Sequence, residues 1–221
     1  MLTKVSEAVI RRLPRYYRQL KLLELQGVEK ISSQSLSHTL NVTASQIRQD
    51  LNCFGGFGQQ GYGYNVRELR GKIAQILGID HKYQLIIVGA GNIGAALASY
   101  GSFISEGYEI LALFDLDPAL VGTTVAGLPV LHTDGLEEFL GRHGVQIAIV
   151  ATPQAAALTV AKQLKELGVR AIWNFAPVEL VLEDVVVENA QLTDGLMALT
   201  YRLGELLHGS PENDSENHTK P

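Results

Sequence analysis

Apolar residues recur along this chain with two periods, and the period changes near residue 80. Val9, Leu13, Tyr16, Leu20 and Leu23 step by four and three, which predicts a helical region over 4–26 with one apolar face. Pro14 falls inside that region and predicts a break, with Pro14 in the first turn of a second helix. Gly27 ends it. Ser32 is placed to cap a short helix through Leu40, and Asn41-Val42 makes a tight turn. Thr43-Ala-Ser-Gln46 has the capping-box pattern and opens another helix. On it Ala44, Ile47, Leu51 and Phe54 share the core face, leaving Ser45, Arg48, Gln49 and Asn52 on the opposite one. Phe54 to Tyr64 alternates glycines with aromatics around Gln59-Gln60, and Tyr62 and Tyr64 lie two apart, so this stretch predicts a β-hairpin. Asn65-Val-Arg-Glu68 is a further capping box; the helix it opens runs through Leu77 with Leu69, Ile73 and Ile76 on one face, and Gly78 ends it. Residues 78–82 are the expected boundary.

From Tyr83 the pattern becomes strand, then helix, repeated. Strands are predicted at Tyr83–Val88, Glu109–Phe114, Leu128–Leu131, Gln146–Ala151, Ala171–Phe175 and Val185–Glu188. Helices are predicted from Gly94 to Glu106, around Asp134–Leu140, and from Pro153 to Gly168. This alternation implies a parallel sheet covered on both faces. Leu192, Leu196, Leu199, Leu203 and Leu206 then mark a last helix over Leu192–Leu207, whose apolar face, widened by Met197 and Leu207, needs a partner surface. Its own sheet or a second subunit could supply one. Residues 209–221 are polar and predict a disordered tail.

Composition adds two constraints. The net charge of −5 is uneven: residues 1–70 hold ten Lys/Arg and five Asp/Glu, the rest eight and eighteen. A basic first third suits a polyanion. Within it, most of Arg11, Arg12, Arg15, Arg18 and Lys21 are expected to be solvated and a minority to touch phosphate. No apolar run approaches the ~20 residues of a membrane span, and the N-terminus lacks the apolar core of a signal peptide. The single cysteine, Cys53, suits the cytosol and is expected to be a buried hydrophobe beside Phe54. No Cys/His/acid cluster has metal-ligand spacing.

The chemistry concentrates in two places. Gly89-Ala90-Gly91-Asn92-Ile93-Gly94 has the G-x-G-x-x-G spacing of a dinucleotide loop, between a predicted strand and helix. Gly89 allows the tight turn, Gly91 keeps a side chain off a pyrophosphate, and Gly94 lets the helix approach the strand. Asp115, 21 residues after Gly94, can accept both ribose hydroxyls and disfavours a 2′-phosphate, which favours NAD(H). Upstream, two short helices, a tight turn and a polar outward face describe a helix-turn-helix. A small helical bundle with an ordinary polar surface would show the same helices; the hairpin that follows turns the pattern into a winged helix. An oxidoreductase would share the cofactor loop, but no proton donor accompanies it. Tyr17 and Lys21 lie in the basic domain, and His132 and His143 are expected at the surface, away from a carboxylate partner. A regulator sensing coenzyme A or another nucleotide, and thiol sensing by Cys53, are further alternatives.

Seven stretches together resemble one family: Arg12-Leu-Pro-Arg-Tyr-Tyr-Arg18, Gln46-Ile-Arg-Gln-Asp50, Phe54-Gly55, Gly61-Tyr-Gly-Tyr-Asn-Val66, Gly89–Gly94, Phe114-Asp115 and Asn174-Phe-Ala-Pro177. Over about residues 4–208 the chain is similar to the redox-sensing transcriptional repressors of the Rex family. The resemblance implies an α/β chain with a winged helix-turn-helix at 1–78 and an NAD(H)-binding Rossmann domain at 79–190. A dimerisation helix swapped between subunits would follow at 191–208. It implies a homodimeric repressor that binds an inverted-repeat operator in double-stranded DNA and leaves it when NADH binds, with NAD⁺ competing. DNA would be met by Ser45, Gln46, Arg48, Gln49 and Asn52 and by wing residues Gln60, Gly61, Tyr62 and Tyr64. Nicotinamide would lie near Tyr100, Thr152-Pro153 and Asn174-Phe175. Arg18 and Tyr100 stand where the family places a relay to the swapped helix. There the chain has Gln191 where many members have Asp, with Asp194 one turn away. Gln49 and Gln60 likewise replace residues that are commonly basic.

Overall fold

A computed structural model describes residues 5–55 and 63–208. The chain divides into two compact units between Lys82 and Tyr83. The first holds α1 (Glu7–Leu25), β1 (Lys30–Ile31), α2 (Ser33–Leu40), α3 (Ala44–Asn52), β2 (Tyr64–Asn65) and α4 (Val66–Leu77). Val9, Leu13, Tyr16 and Leu20 of α1 are buried, as the spacing predicts, and Leu23 is half-buried; Tyr17, expected on the helix surface, is buried as well. The expected break at Pro14 is absent, and α1 runs through it unbroken. A mid-helix proline costs about 3 kcal/mol. Tertiary anchoring on both sides of Pro14 offsets this: Leu13, Tyr16 and Leu20 are packed in the core, Arg12 is paired with Asp50, and Arg15 donates to the Leu40 carbonyl at 2.6 Å.

The caps form at their predicted places. Ser32 Oγ accepts the Ser35 N–H at 2.9 Å, Thr43 Oγ1 that of Gln46 at 3.1 Å and Asn65 Oδ1 that of Glu68 at 3.0 Å. Asn41 takes a left-handed φ of 53° in the turn between α2 and α3, and Gly78 closes α4 at φ 70°. One strand pairing was not legible. Tyr64–Asn65 pairs antiparallel with Lys30–Ile31, two residues on each side, which is too short to leave an alternating pattern. The expected hairpin within 54–64 lies mostly outside the described residues.

The second unit holds β3 (Tyr83–Val88), α5 (Asn92–Ala98), α6 (Ser102–Ser105), β4 (Tyr108–Asp115), β5 (Thr124–Val125), β6 (Leu128–His132), α7 (Leu136–Arg142), β7 (Val145–Val150), α8 (Gln154–Glu166), β8 (Ala171–Asn174), β9 (Val186–Asn189) and α9 (Leu192–His208). The strands form one sheet in the order β5-β6-β4-β3-β7-β8-β9. All pair in parallel except β5, which runs antiparallel to β6 and was not predicted. Residues alternate between two cores. Ile86, Val88, Phe114, Ala148 and Val150 meet α7 and α8 through Leu136, Ala157, Ala161 and Leu164. Leu85, Ile87, Leu113 and Ile149 meet Leu97 and Ala98 of α5 on the other face. The expected doubly wound sheet is therefore present. The single helix expected from Gly94 to Glu106 is instead two, broken at Ser99-Tyr100-Gly101. Ser99 Oγ turns back onto the Ala95 carbonyl at 2.8 Å, and glycine follows within two residues.

One carboxylate ties the first unit together. Asp50, 1 % exposed, accepts two hydrogen bonds from Arg12 at 2.6 and 2.8 Å, one from the Tyr16 hydroxyl at 2.6 Å and one from Gln46 Nε2 at 2.8 Å. Burial pushes its pKa up, but the donors from Arg12, Tyr16 and Gln46 outweigh burial and hold it below the ordinary value. Burial and the bond to Asp50 push the Tyr16 phenol upward. We expect Asp50→Asn to cost about 3 kcal/mol in urea unfolding at neutral pH. The stabilisation is complete above about pH 4, the unfolded aspartate range. It is lost as pH falls through the lowered folded value, so wild type and variant should converge in acid. A constant difference down to strong acid would contradict this assignment.

Candidate functional site

The glycine loop leaves β3 at Val88. Gly89 has φ 104°, and a Cβ there would run into the Ala151 carbonyl at the end of β7. Its N–H donates to the Phe114 carbonyl at 2.7 Å. At Gly94 a Cβ would run into the Gly89 carbonyl, with Ile87 Cγ2 at 3.3 Å. These two glycines are therefore required by the protein's own packing. Gly91 differs: its φ of −67° suits any residue and a Cβ would meet nothing within 4 Å. The space above Gly91, at the start of α5, is open. Asn92 and Ile93 are exposed beside it, and Ala90 is buried.

Asp115 closes one side of this space. Its Oδ2 accepts the Ala90 N–H at 2.6 Å, and its Oδ1 accepts those of Leu116 and Asp117 at 2.7 and 2.9 Å. Three donors fix the carboxylate against the loop, and its remaining lone pair capacity is available to hydroxyls. On the other side, Thr152 follows the Ala151 carbonyl that abuts Gly89. Its Oγ1 is buried with no hydrogen-bond partner among the described residues. Pro153 is exposed.

Asn174 has a different job from the one expected. It is fully buried; its Nδ2 donates to the Val178 carbonyl at 2.7 Å and to Asn189 Oδ1 at 2.8 Å, and its Oδ1 accepts the Ala176 N–H at 3.0 Å. Both amide hydrogens are thus committed to protein, so Asn174 shapes the turn that carries Phe175. Asn189, which the sequence did not single out, completes this lock by bonding both backbone polar groups of Leu180 at 2.9 and 3.0 Å. Its only signal was an amide ending an apolar strand. Phe175 is half-buried and stands 4.6 Å from Trp173 between ring centroids. Tyr100 lies in the break after α5 and is 58 % exposed.

On α3 the structure exposes Ser45, Arg48, Gln49 and Asn52 opposite buried Ile47 and Leu51. Gln46 is half-buried and only half of its capping box forms, because its side chain goes to Asp50. Arg48 donates to Ser33 Oγ at 3.0 Å, which braces α3 on the first turn of α2; no spacing in one dimension links these residues. Burial raises the Tyr64 pKa, partly offset by the nearby Arg48 charge. Gln60, Gly61 and Tyr62 lie outside the described residues. Cys53 is exposed, against expectation: it keeps helical backbone angles after Asn52, so it lies beside exposed Gln49, to whose carbonyl its thiol donates at 3.4 Å, while Phe54 packs on the core as expected. His132 is exposed, as expected, but a carboxylate partner was not: it stands 3.2 Å from the Asp134 carboxylate while its Nδ1 accepts the Asp134 N–H. His143 stacks on Phe139 at 4.2 Å, in a cavity of about 330 Å³ that His132 and Arg142 also line.

Of the relay residues, Arg18 is exposed on α1 in the first unit; Tyr100, Gln191 and Asp194 belong to the second. Gln191 is half-buried at the start of α9, and its carbonyl accepts the Asp194 N–H at 3.2 Å. Leu192, Leu196, Met197, Leu199, Tyr201, Leu203, Leu206 and Leu207 of α9 are all exposed. Among the described residues no helix is long and apolar enough to cross a membrane, and no metal-holding group of His, Cys, Asp and Glu occurs.

A helix-turn-helix head and a nucleotide-type loop on a doubly wound sheet define a class: DNA-binding regulators with a ligand-binding domain. Comparison with known proteins agrees. Residues 4–52 match a family described as a putative DNA-binding protein N-terminus, and residues 80–178 one described as a CoA binding domain. The redox-sensing transcriptional repressor Rex of Thermoanaerobacter pseudethanolicus is 50 % identical over 92 % of this chain and 91 % of its own. That of Clostridium beijerinckii is 50 % identical over 91 % and 96 %. The crystal structure of RSP in complex with beta-NAD⁺ and operator DNA superposes with a TM-score of 0.87 at 49 % identity, covering 92 % and 94 % of the two chains. RSP in complex with beta-NADH gives 0.84 at 46 %, covering 92 % and 96 %. The chain belongs to the family of redox-sensing transcriptional repressors called Rex. The resemblance drawn from the seven stretches is borne out, and the oxidoreductase alternative falls with it, since the relatives are repressors.

The glycines can be told apart by stability alone. Gly94→Ala should lower the stability of the second unit by about 2 to 3 kcal/mol. Gly91→Asp, a good helix cap pointing into open space, should stay within about 0.5 kcal/mol of the parent. Urea unfolding followed by emission of the single tryptophan, Trp173, reads both. Equal losses would contradict the distinction.

Proposed function

We propose that this chain is an NADH-responsive repressor: a homodimer that holds an inverted-repeat operator through α3 and the wing and releases it when NADH occupies the loop at Gly89–Gly94. The observation that carries the reading is the open space over Gly91, flanked by the Asp115 carboxylate, which accepts the Ala90 N–H and is held in place by it. That geometry accepts a pyrophosphate at the loop and a ribose with free hydroxyls at the strand end. It suits coenzyme A less well, because its ribose carries a 3′-phosphate that Asp115 would repel. Thr152 supports the same reading, since its buried, unpartnered hydroxyl lies beside the loop. The relative solved with beta-NAD⁺ and operator DNA, and again with beta-NADH, supports both the ligand and the duplex.

Release is then an equilibrium between two arrangements of the dimer, biased by whichever nicotinamide form binds one arrangement better. The second subunit's role follows from α9. A helix with eight large exposed apolar side chains supports exchange between copies, with 1–78, 79–190 and 191–208 as the functional divisions. At the start of α9 Gln191 carries an amide and no charge, so a relay through α9 would use Asp194 or a neutral hydrogen bond. A repressor of this kind works in the cytoplasm, with the DNA it controls.

Titration of NADH against NAD⁺ on an inverted-repeat duplex tests the reading. NADH should weaken DNA binding and NAD⁺ should restore it. Gly91→Asp should bind DNA normally and lose NADH affinity by at least about 30-fold, or 2 kcal/mol. DNA binding that ignores NADH in the parent chain would overturn the proposal. Gln49 makes a second prediction. Glutamine pairs bidentately with adenine, whereas arginine and lysine favour guanine. Selection from random duplexes should therefore return A·T at the base pair Gln49 meets, and the salt dependence of binding should be shallower than in relatives with a cation there. Recovery of G·C at that step would contradict it.

A further inference from the structure

Four aromatic rings form a continuous ladder in the second unit. Tyr100 packs edge-on against Phe103 with ring centroids 5.1 Å apart, Phe103 against Trp173 at 6.0 Å, and Trp173 against Phe175 at 4.6 Å. Its two ends differ in rigidity. Phe175 follows Asn174, which the Asn189 amide and the Val178 carbonyl hold in place, and its own N–H donates to the Val150 carbonyl at 2.8 Å. Tyr100 lies in the break between α5 and α6, and its ring is mostly exposed. Between them, α6 is a single turn with no buried residue, and Ile104 on it is 79 % exposed. Phe103 is the half-buried side chain of that turn, and Trp173 is its ring partner from the sheet.

We propose that Phe103 and Trp173 are positioning residues that couple Phe175 to Tyr100 across the nicotinamide site, so that the break between α5 and α6 keeps its ligand-bound position through their contact. The inference rests on the reading that a nicotinamide sits beside Phe175. Packed rings move as bodies and do not stretch. A ligand ring that shifts Phe175 must therefore displace Trp173 or be refused by it. Trp173 in turn meets Phe103, the half-buried side chain of α6. Phe103 is the one residue of α6 that is not exposed, so displacing its ring moves the main anchor of that turn. Neither residue belongs to the glycine loop or to the strand end that carries Asp115, so both should affect the response to NADH more than the binding of NADH.

The test separates these quantities. Phe103→Leu, Trp173→Leu and Trp173→Phe are compared with the parent chain for thermal unfolding, NADH affinity, and affinity for an inverted-repeat duplex with and without saturating NADH. In both leucine variants the cofactor-free DNA affinity should stay within about twofold and NADH affinity within about threefold. The factor by which NADH weakens DNA binding should fall at least about tenfold. Trp173→Phe keeps an aromatic rung and should recover most of that factor. Hydrogen exchange over residues 99–107, measured without DNA, should show NADH protecting the segment in the parent and not in the leucine variants. An unchanged release factor in both leucine variants would overturn the inference, as would NADH affinity falling in the same proportion as release. Should the parent chain ignore NADH on DNA, the proposed function fails. The exchange experiment still decides the ladder: NADH-dependent protection present in the parent and kept equally in the leucine variants, or absent from the parent, overturns it.

Discussion

The hydrogen bond from the Ala90 N–H to the Asp115 carboxylate, 2.6 Å long, joins the first turn of the sheet domain to the end of its neighbouring strand. Much of the carboxyl edge depends on it. The parallel pairing of β3 with β4 brings Asp115 alongside the loop, where the Gly89 N–H also continues the ladder to Phe114. On the opposite side β7 presses the Ala151 carbonyl against Gly89 so closely that no side chain fits. The loop is clamped from both neighbours, and the space over Gly91 is what remains. A site that is rigid before its ligand arrives spends little binding energy on ordering itself, and more of that energy is left to bias one dimer arrangement over another.

The DNA-binding unit uses the same device with a different carboxylate. Asp50 gathers Arg12, Tyr16 and Gln46 at one buried point, and so fixes α3 against α1. Part of the positive charge that the composition offers a polyanion is thereby spent inside the protein. Arg12 neutralises Asp50, Arg15 caps the Leu40 carbonyl, and Arg11 pairs with Glu7 at 3.1 Å. What α3 presents outward is Arg48 among neutral polar residues, and even Arg48 is braced by Ser33. Recognition by hydrogen-bonding side chains on a fixed helix suits sequence readout better than charge alone would.

Between these two carboxylates, much of the architecture is legible in the sequence. Periodicity placed the helix-turn-helix, most strands of the sheet and the terminal apolar helix, because each buries one continuous face and burial leaves a regular trace in sequence. Caps were legible for the same local reason: Ser32, Thr43 and Asn65 act on N–H groups three residues away. The illegible features were those whose cause lies elsewhere in the chain. Pro14 stays helical because its flanks are anchored by residues about 25 and 38 positions on. The strands β1 and β5 have two residues each and leave no period. Phe54 packs on the core as its spacing predicts, but Cys53 does not share its burial: it keeps helical backbone angles after Asn52 and so falls beside exposed Gln49, four residues earlier.

The sequence by itself determined which residues could do the chemistry: three glycines at fixed spacing, an acid at the next strand end, and a polar helix face. Those properties are local, since they follow from the absence of a Cβ, the charge of a side chain and the pitch of a helix. Only the tertiary structure decided which of them are free to act. It took Asn174 and Gln46 for internal hydrogen bonds and left Gly91 open while filling the space at Gly89 and Gly94. It also lined up Tyr100, Phe103, Trp173 and Phe175 across two elements. Whether a polar group or a ring is available depends on what the rest of the chain packs against it, and that is a property of three dimensions.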